Sequence, residues 1–119
     1  MKVAITAKGT DLDAEVDPRF GRAAYFLIID SESLDVLALD NKQNANSLKG
    51  AGIQAASVLA EHKAEILLTG YCGPNAFKTL QAAGIQVAND ATGTVRECLQ
   101  AFLAGKMTIA ESANAEGHG

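Results

Sequence analysis

Apolar positions fall in short runs over the first third of the chain and at helical spacing after residue 50. KVAITA at 2–7 is short, rich in β-branched residues and bounded by polar ones, which predicts a buried strand. AAYFLIID at 23–30 is apolar on both faces and predicts a central strand. LDVLAL at 34–39 predicts a third, and the short DSES turn at 30–33 between the two fits an antiparallel hairpin. KGTDLDAEVDPRFGR at 8–22 is polar with two Gly and one Pro, and DNKQNANSLKG at 40–50 has no apolar period. Both read as loops. AGIQAASVLAEHK at 51–63 predicts a helix with Ile53, Ala56 and Ala60 on its buried stripe and Leu59 beside them. EILLT at 65–69 and IQVA at 85–88 predict strands. Between them PNAFKTLQAAG at 74–84 has Pro74 near the first helical position, Gly84 as a stop, and a stripe of Ala76, Phe77, Leu80 and Ala83. TVRECLQAFLAG at 94–105 opens on a capping box from Thr94 to Glu97, with Val95, Cys98, Leu99 and Phe102 on one face.

The order β-β-β-α-β-α-β-α predicts an α/β domain over 1–110, a three-layer α/β/α arrangement around a five-stranded mixed sheet. The small, polar ESANAEGHG at 111–119 is expected to form a flexible tail.

Composition narrows the classes. Apolar residues make up 48% of the chain but aromatics only 5%, so Ala, Val, Ile and Leu must build the core. A net charge of −4 argues against general nucleic-acid binding, which relies on many Lys and Arg contacts to phosphate. No apolar run approaches the roughly 20 residues of a membrane span. MKVAITAKGT reads as a first strand and not as a signal peptide, so the expected location is cytoplasmic. Cys72 and Cys98 form neither a CxxC nor a zinc spacing, and no disulfide is expected in a reducing compartment.

Ligands of open α/β sheets bind beyond the carboxyl ends of the parallel strands, where the loops at 8–22, 40–50 and 70–74 are candidates. GYCGP at 70–74 is the sharpest signal. Gly70 and Gly73 allow close backbone approach, Gly73-Pro74 opens a helix whose N–H groups favour an anion, and Tyr71 can stack or hydrogen-bond. Cys72 there is a nucleophile, a soft-metal ligand, a redox thiol or simply a small residue in a tight turn. In DPRFGR at 17–22, Asp17-Pro18 starts a turn, Phe20 plugs the loop into the core, and Arg19 and Arg22 suit an anionic ligand or an ion pair with Asp17 or Glu15. Lys8, Lys42 and Lys49 sit in rim loops as added positive charge or plain surface lysines. Other enzymatic signals are weak. His62 suits a helix C-terminus, His118 lies in the tail, Asp11 and Asp13 follow a strand where a two-metal site would use strand positions, and GAG at 50–52 follows a loop, unlike a dinucleotide fingerprint. Cys98 belongs to the apolar stripe.

VDPRFGRAAYFLIID at 16–30, GAGIQAA at 50–56 and LLTGYCGPNAFKTLQAAGIQV at 67–87 together resemble the dinitrogenase iron–molybdenum cofactor biosynthesis family, over most of residues 1–105. The resemblance implies a ribonuclease-H-like motif. It also implies a noncatalytic binder or carrier of an anionic metal–sulfur cluster: either the molybdenum–copper sulfide type of the small stand-alone members found in anaerobes, or an iron–molybdenum cofactor or its precursor. The nitrogenase carriers of the family tend to have a ligating His before the Phe-Gly of the first motif. Here that position is Arg19, which favours holding a preformed cluster by charge and backbone N–H groups. The expected cofactor-binding residues are Lys8, Arg19, Phe20, Gly21, Arg22, Gly70, Tyr71, Cys72 and Gly73, with Cys72 the candidate metal ligand. The alternatives are a cysteine-dependent enzyme using Cys72 and an interaction module of a cytoplasmic protein complex.

Overall fold

The computed structural model describes residues 1–46 and 50–111, so Lys49 and the expected tail from 112 onward lie outside the described residues. The elements are β1 (Lys2–Ala7), β2 (Tyr25–Asp30), β3 (Val36–Asp40), α1 (Lys42–Ala45), α2 (Ala51–Glu61), β4 (Ile66–Leu68), α3 (Pro74–Ala82), β5 (Gln86–Ala88) and α4 (Val95–Leu103). They form one mixed sheet of five strands in the order β3-β2-β1-β4-β5. β1 pairs antiparallel with β2, and β2 with β3; β1–β4 and β4–β5 are parallel.

The alternation of side chains along β1, β2 and β4 splits the core in two. Ala4, Phe26, Ile28, Leu67 and Val87 face α2 and α3 and pack with Ala55, Ala56, Leu59, Ala76, Phe77 and Leu80. Val3, Ile5, Leu27, Ile29, Ile66 and Leu68 face α4 and pack with Val95, Cys98 and Leu99. A strand buried on both faces must be apolar at every position, which is why β2 and β4 read as continuous runs. The result is the expected three-layer α/β/α fold.

Three expectations shift. The polar 40–50 segment holds the short helix α1, tied down by Asn41, whose side chain donates to the Gly21 and Ala23 carbonyls at 3.1 and 2.8 Å. The third strand starts at Val36 because Leu34 takes φ +63° and donates its N–H to the Asp30 carbonyl to close the turn. The buried face of α2 is Ala51, Gly52, Ala55, Ala56 and Leu59, leaving Ile53 44% exposed and Ala60 exposed. Small residues let this helix lie close to α3 and the sheet, and closeness outweighs burying one isoleucine. Ala83 is likewise exposed, past the end of α3.

The helix termini follow the sequence closely. Pro74 opens α3, Gly84 takes φ +78° just beyond it, and the Thr94–Glu97 capping box is complete, worth about 1 kcal/mol to α4. The short edge strand β5 is partly covered by the chain that follows α4: Ile109 bridges Ala88, and the Ala110 N–H donates to the Val87 carbonyl at 2.7 Å.

Candidate functional site

Adjacency of β1 and β4 in the sheet brings together the two loops that leave their carboxyl ends. The Thr6 hydroxyl donates to the Asp17 carbonyl at 2.6 Å and lies 2.9 Å from the Thr69 hydroxyl, so a buried pair of threonines locks the strand ends to each other. Beyond this lock the loops form a short parallel bridge at Arg19 and Tyr71. Tyr71 N–H donates to the Pro18 carbonyl at 2.8 Å, and Phe20 N–H donates to the Tyr71 carbonyl at 3.3 Å. A Cβ on Gly70 would sit 2.6 Å from the Cα and the carbonyl oxygen of Pro18, so only glycine permits this approach. Gly21 is constrained in the same way, its missing Cβ falling 2.6 Å from the backbone nitrogen of Gly52 at the start of α2.

Asp17 organises the first loop. Its side chain is buried, and Oδ1 accepts the Arg19 backbone N–H at 3.1 Å and Nε–H at 3.4 Å, while Oδ2 accepts the Ala24 N–H at 3.3 Å. The carboxylate thus holds the Arg19 backbone, and of its guanidinium only Nε. The two terminal amino groups of its guanidinium have no partner among the described residues, and the side chain is 53% exposed. Tyr71 stands opposite in the bridge, 38% exposed. Close by, α3 begins at Gly73 and Pro74 with no side-chain cap, and the N–H groups of Gly73, Asn75 and Ala76 have no partner among the described residues. Guanidinium, phenol and helix N-terminus make a surface of hydrogen-bond donors suited to an anion.

The remaining expected residues divide. Phe20 is buried, its ring tilted 32° to that of Phe26 at 5.7 Å between centroids, and supports the loop from below. Arg22 directs Nη1 to the Ala45 carbonyl at 2.7 Å and straps the loop to α1. Lys8 pairs with Glu15 at 3.4 Å, on the hairpin that follows β1. Lys42 is held by the Tyr25 hydroxyl at 2.7 Å and sits over that ring. Asp11 and Asp13 stay in the exposed loop, where Asp13 pairs with Arg96 at 3.2 Å.

Cys72 is fully buried, among Phe20, Ala76 and Phe77, and burial pushes its thiol up from 9.0 to about 12. A metal-binding or nucleophilic cysteine needs thiolate character, and this environment opposes it. Among the described residues no three His, Cys, Asp or Glu side chains converge as a metal-ligand set. Native protein is therefore expected to react with a disulfide reagent at pH 8 far more slowly than urea-unfolded protein, which release of the coloured thiolate would report. A thiol raised by folding also makes stability fall as pH climbs between about 9 and about 12, because only the unfolded chain ionises there. Cys98, raised to about 11 for the same reason, adds to that loss.

The loop after β5 completes the site wall and was not legible in the sequence. Asp90 takes φ +64° and donates its N–H to the Gly70 carbonyl at 2.8 Å, while Ala91 N–H reaches the Thr69 carbonyl at 3.0 Å. Beside it a cleft of about 360 Å³ is lined by Asn89, Lys106 and Thr108 among others.

Residues 1–105 match the Dinitrogenase iron-molybdenum cofactor family. The chain belongs to that family. The apo form of the orange protein from Desulfovibrio gigas is 49% identical, each chain covering 96% of the other, with a TM-score of 0.93. A Thermotoga protein solved by NMR is 37% identical over 98% of both chains, with a TM-score of 0.84. A Methanocaldococcus jannaschii protein of uncharacterised function is 28% identical over 109 residues, 90% of this chain and 89% of its own length. The family match therefore spans both motifs that build the Arg19–Tyr71 bridge.

Proposed function

We propose that this protein is a noncatalytic carrier of an anionic metal–sulfur cluster of the molybdenum-containing class, bound at the Arg19–Tyr71 bridge. The observation that carries the reading is the half-free guanidinium of Arg19, anchored at Nε by buried Asp17, on a residue that bridges Tyr71 two positions before the uncapped start of α3. Such a surface supplies hydrogen bonds to terminal or bridging sulfides without forming metal–protein bonds. Charge-assisted hydrogen bonds of this kind are worth about 1.5–3 kcal/mol each. Family membership and the 49% identity to the orange protein support the cluster class. The molybdenum–copper sulfide is our first assignment, and an iron–molybdenum cofactor precursor the alternative. Gly21, Gly70 and Gly73 shape the backbone of this cradle, Phe20 and Cys72 support it from the core, and Arg22 adds long-range positive field, whereas the charge of Lys8 is offset by Glu15. Cys72 as a thiolate enzyme is the weaker reading, because its burial and raised pKa oppose it.

The test is anaerobic loading. Purified apo protein is mixed with tetrathiomolybdate and cuprous ion, passed through a desalting column, and assayed for molybdenum, copper and visible absorption. Co-elution of both metals with a sulfide-to-metal band at constant ratio is the expected result. Protein that elutes free of metal after loading with either cluster type would end the carrier reading.

A further inference from the structure

β3 forms one edge of the sheet, and the bonds flanking it fix which of its backbone groups face outward. Asp30 N–H donates to the Asp35 carbonyl at 3.0 Å, and Asn41 N–H donates to the Ala24 carbonyl at 2.9 Å. In an antiparallel ladder, bonded pairs alternate with unbonded ones. Leu37 and Leu39, which pair with Ile28 and Phe26, therefore bond to β2. The N–H and C=O groups of Val36, Ala38 and Asp40 turn outward, and no bond beyond the ladder uses them among the described residues.

The flank of this edge is shaped and charged. Leu37 lies on the α2 face of the sheet yet is 48% exposed. Beside it a cleft of about 230 Å³ is lined by Ile28, Leu37 and His62, with Asp30 and Asp35 against one cation, Lys2. The Asp30 carboxyl is held below its ordinary value by the N–H groups of Glu32 and Ser33, so it is ionised at neutral pH. Asp35 and Asp40 mark the two ends of the strand; Asp40 is occupied by Lys42, whose backbone N–H it accepts at 2.9 Å and whose ammonium lies at 4.0 Å, and Asp35 has no ion pair among the described residues. Edge strands of natural proteins are usually blunted by Lys, Pro or a bulge, and this one has none of them within Val36–Asp40.

We infer that the outer edge of β3 docks an extended segment of another protein, one with an apolar residue opposite Leu37 and Lys or Arg opposite Asp35. Main-chain bonds to Val36, Ala38 and Asp40 supply the affinity, and the cleft and carboxylates supply the selection. A second copy of this chain fits less well. It would bring the same acidic residues on a chain of net charge −4. The docking edge runs the length of β1, Val36 level with Val3 and Asp40 level with Ala7, and is set two strands, roughly 10 Å, to the side of β1. The inference holds whether or not the Arg19–Tyr71 bridge carries a cluster.

The experiment uses a fluorescein-labelled peptide, GKVTVTKG, titrated with the intact protein and read by anisotropy. Saturable binding is expected, about tenfold weaker for GEVTVTEG, with slowed amide exchange at Val36, Ala38 and Asp40. Ala38→Pro removes an outward N–H at a position where an edge strand tolerates proline, and should weaken binding about tenfold. Asp35→Lys should reverse the peptide preference, and it serves if the proline variant fails to fold. Equal binding of both peptides, unchanged affinity in both variants, or dimerisation through β3 in sedimentation would each overturn the proposal.

Discussion

Gly70→Ala is expected to lower folding stability by about 2–3 kcal/mol and to abolish cluster loading. The added methyl would meet backbone atoms of Pro18 at 2.6 Å, and backbone cannot rotate away as a long side chain can. Relief requires the 70–73 turn to retreat from the 17–22 loop, which breaks the Tyr71-to-Pro18 hydrogen bond and parts Arg19 from the start of α3. Chemical denaturation measures the first effect and the metal-to-protein ratio the second. Gly84→Ala is the control. Its φ of +78° strains an alanine by about 1 kcal/mol, but nothing lies within 4 Å of the new methyl, so loading should survive. If Gly70→Ala loads normally, the two loops do not need their close approach.

The second large effect concerns Arg19 and the carboxylate beneath it. Arg19→Ala should weaken tetrathiomolybdate binding about 10- to 100-fold, the loss of one or two charge-assisted bonds. Asp17→Asn removes a negative charge, and Coulomb's law alone would make anion binding tighter. We expect the opposite, about 3- to 10-fold weaker binding, because Asn cannot accept from Arg19 and Ala24 together and the guanidinium loses its anchor. In the Arg19→Ala background the same change should have no weakening effect. This double-mutant cycle, read by absorbance titration, separates positioning from charge. Tighter binding in the single Asp17→Asn variant would reduce Asp17 to an opposing charge.

Local chemistry made most of the fold legible. The helix-opening Pro74, the stop at Gly84 and the Thr94–Glu97 box each act within a few residues, and each was found where the sequence placed it. β1 spans the predicted 2–7 because its apolar run is bounded by Lys2 and Lys8. The phase of α2 was less legible because alanine fills so many of its positions that hydrophobic weight fell on Ile53 by size alone. The candidate residues of both motifs could be named from sequence, but their meeting could not. It depends on β4 inserting next to β1, a pairing between residues more than 60 apart, and on the hydroxyl contact of Thr6 with Thr69. Asp17 read as a turn starter or ion-pair partner; that its one carboxylate does both, and orients Arg19 by Nε, needs coordinates.

The unequal treatment of the two sheet margins has a bearing on solubility. The β5 margin is short and partly occupied by Ile109 and Ala110 of the same chain, whereas the β3 margin is open. Growth of a fibril by strand addition needs a free template at both ends of each unit, so that every molecule added exposes a fresh one. Here, any association through β3 consumes the template and leaves only the self-capped margin facing outward. Such a chain can pair through β3 but meets a partly occupied margin at β5, which works against propagation.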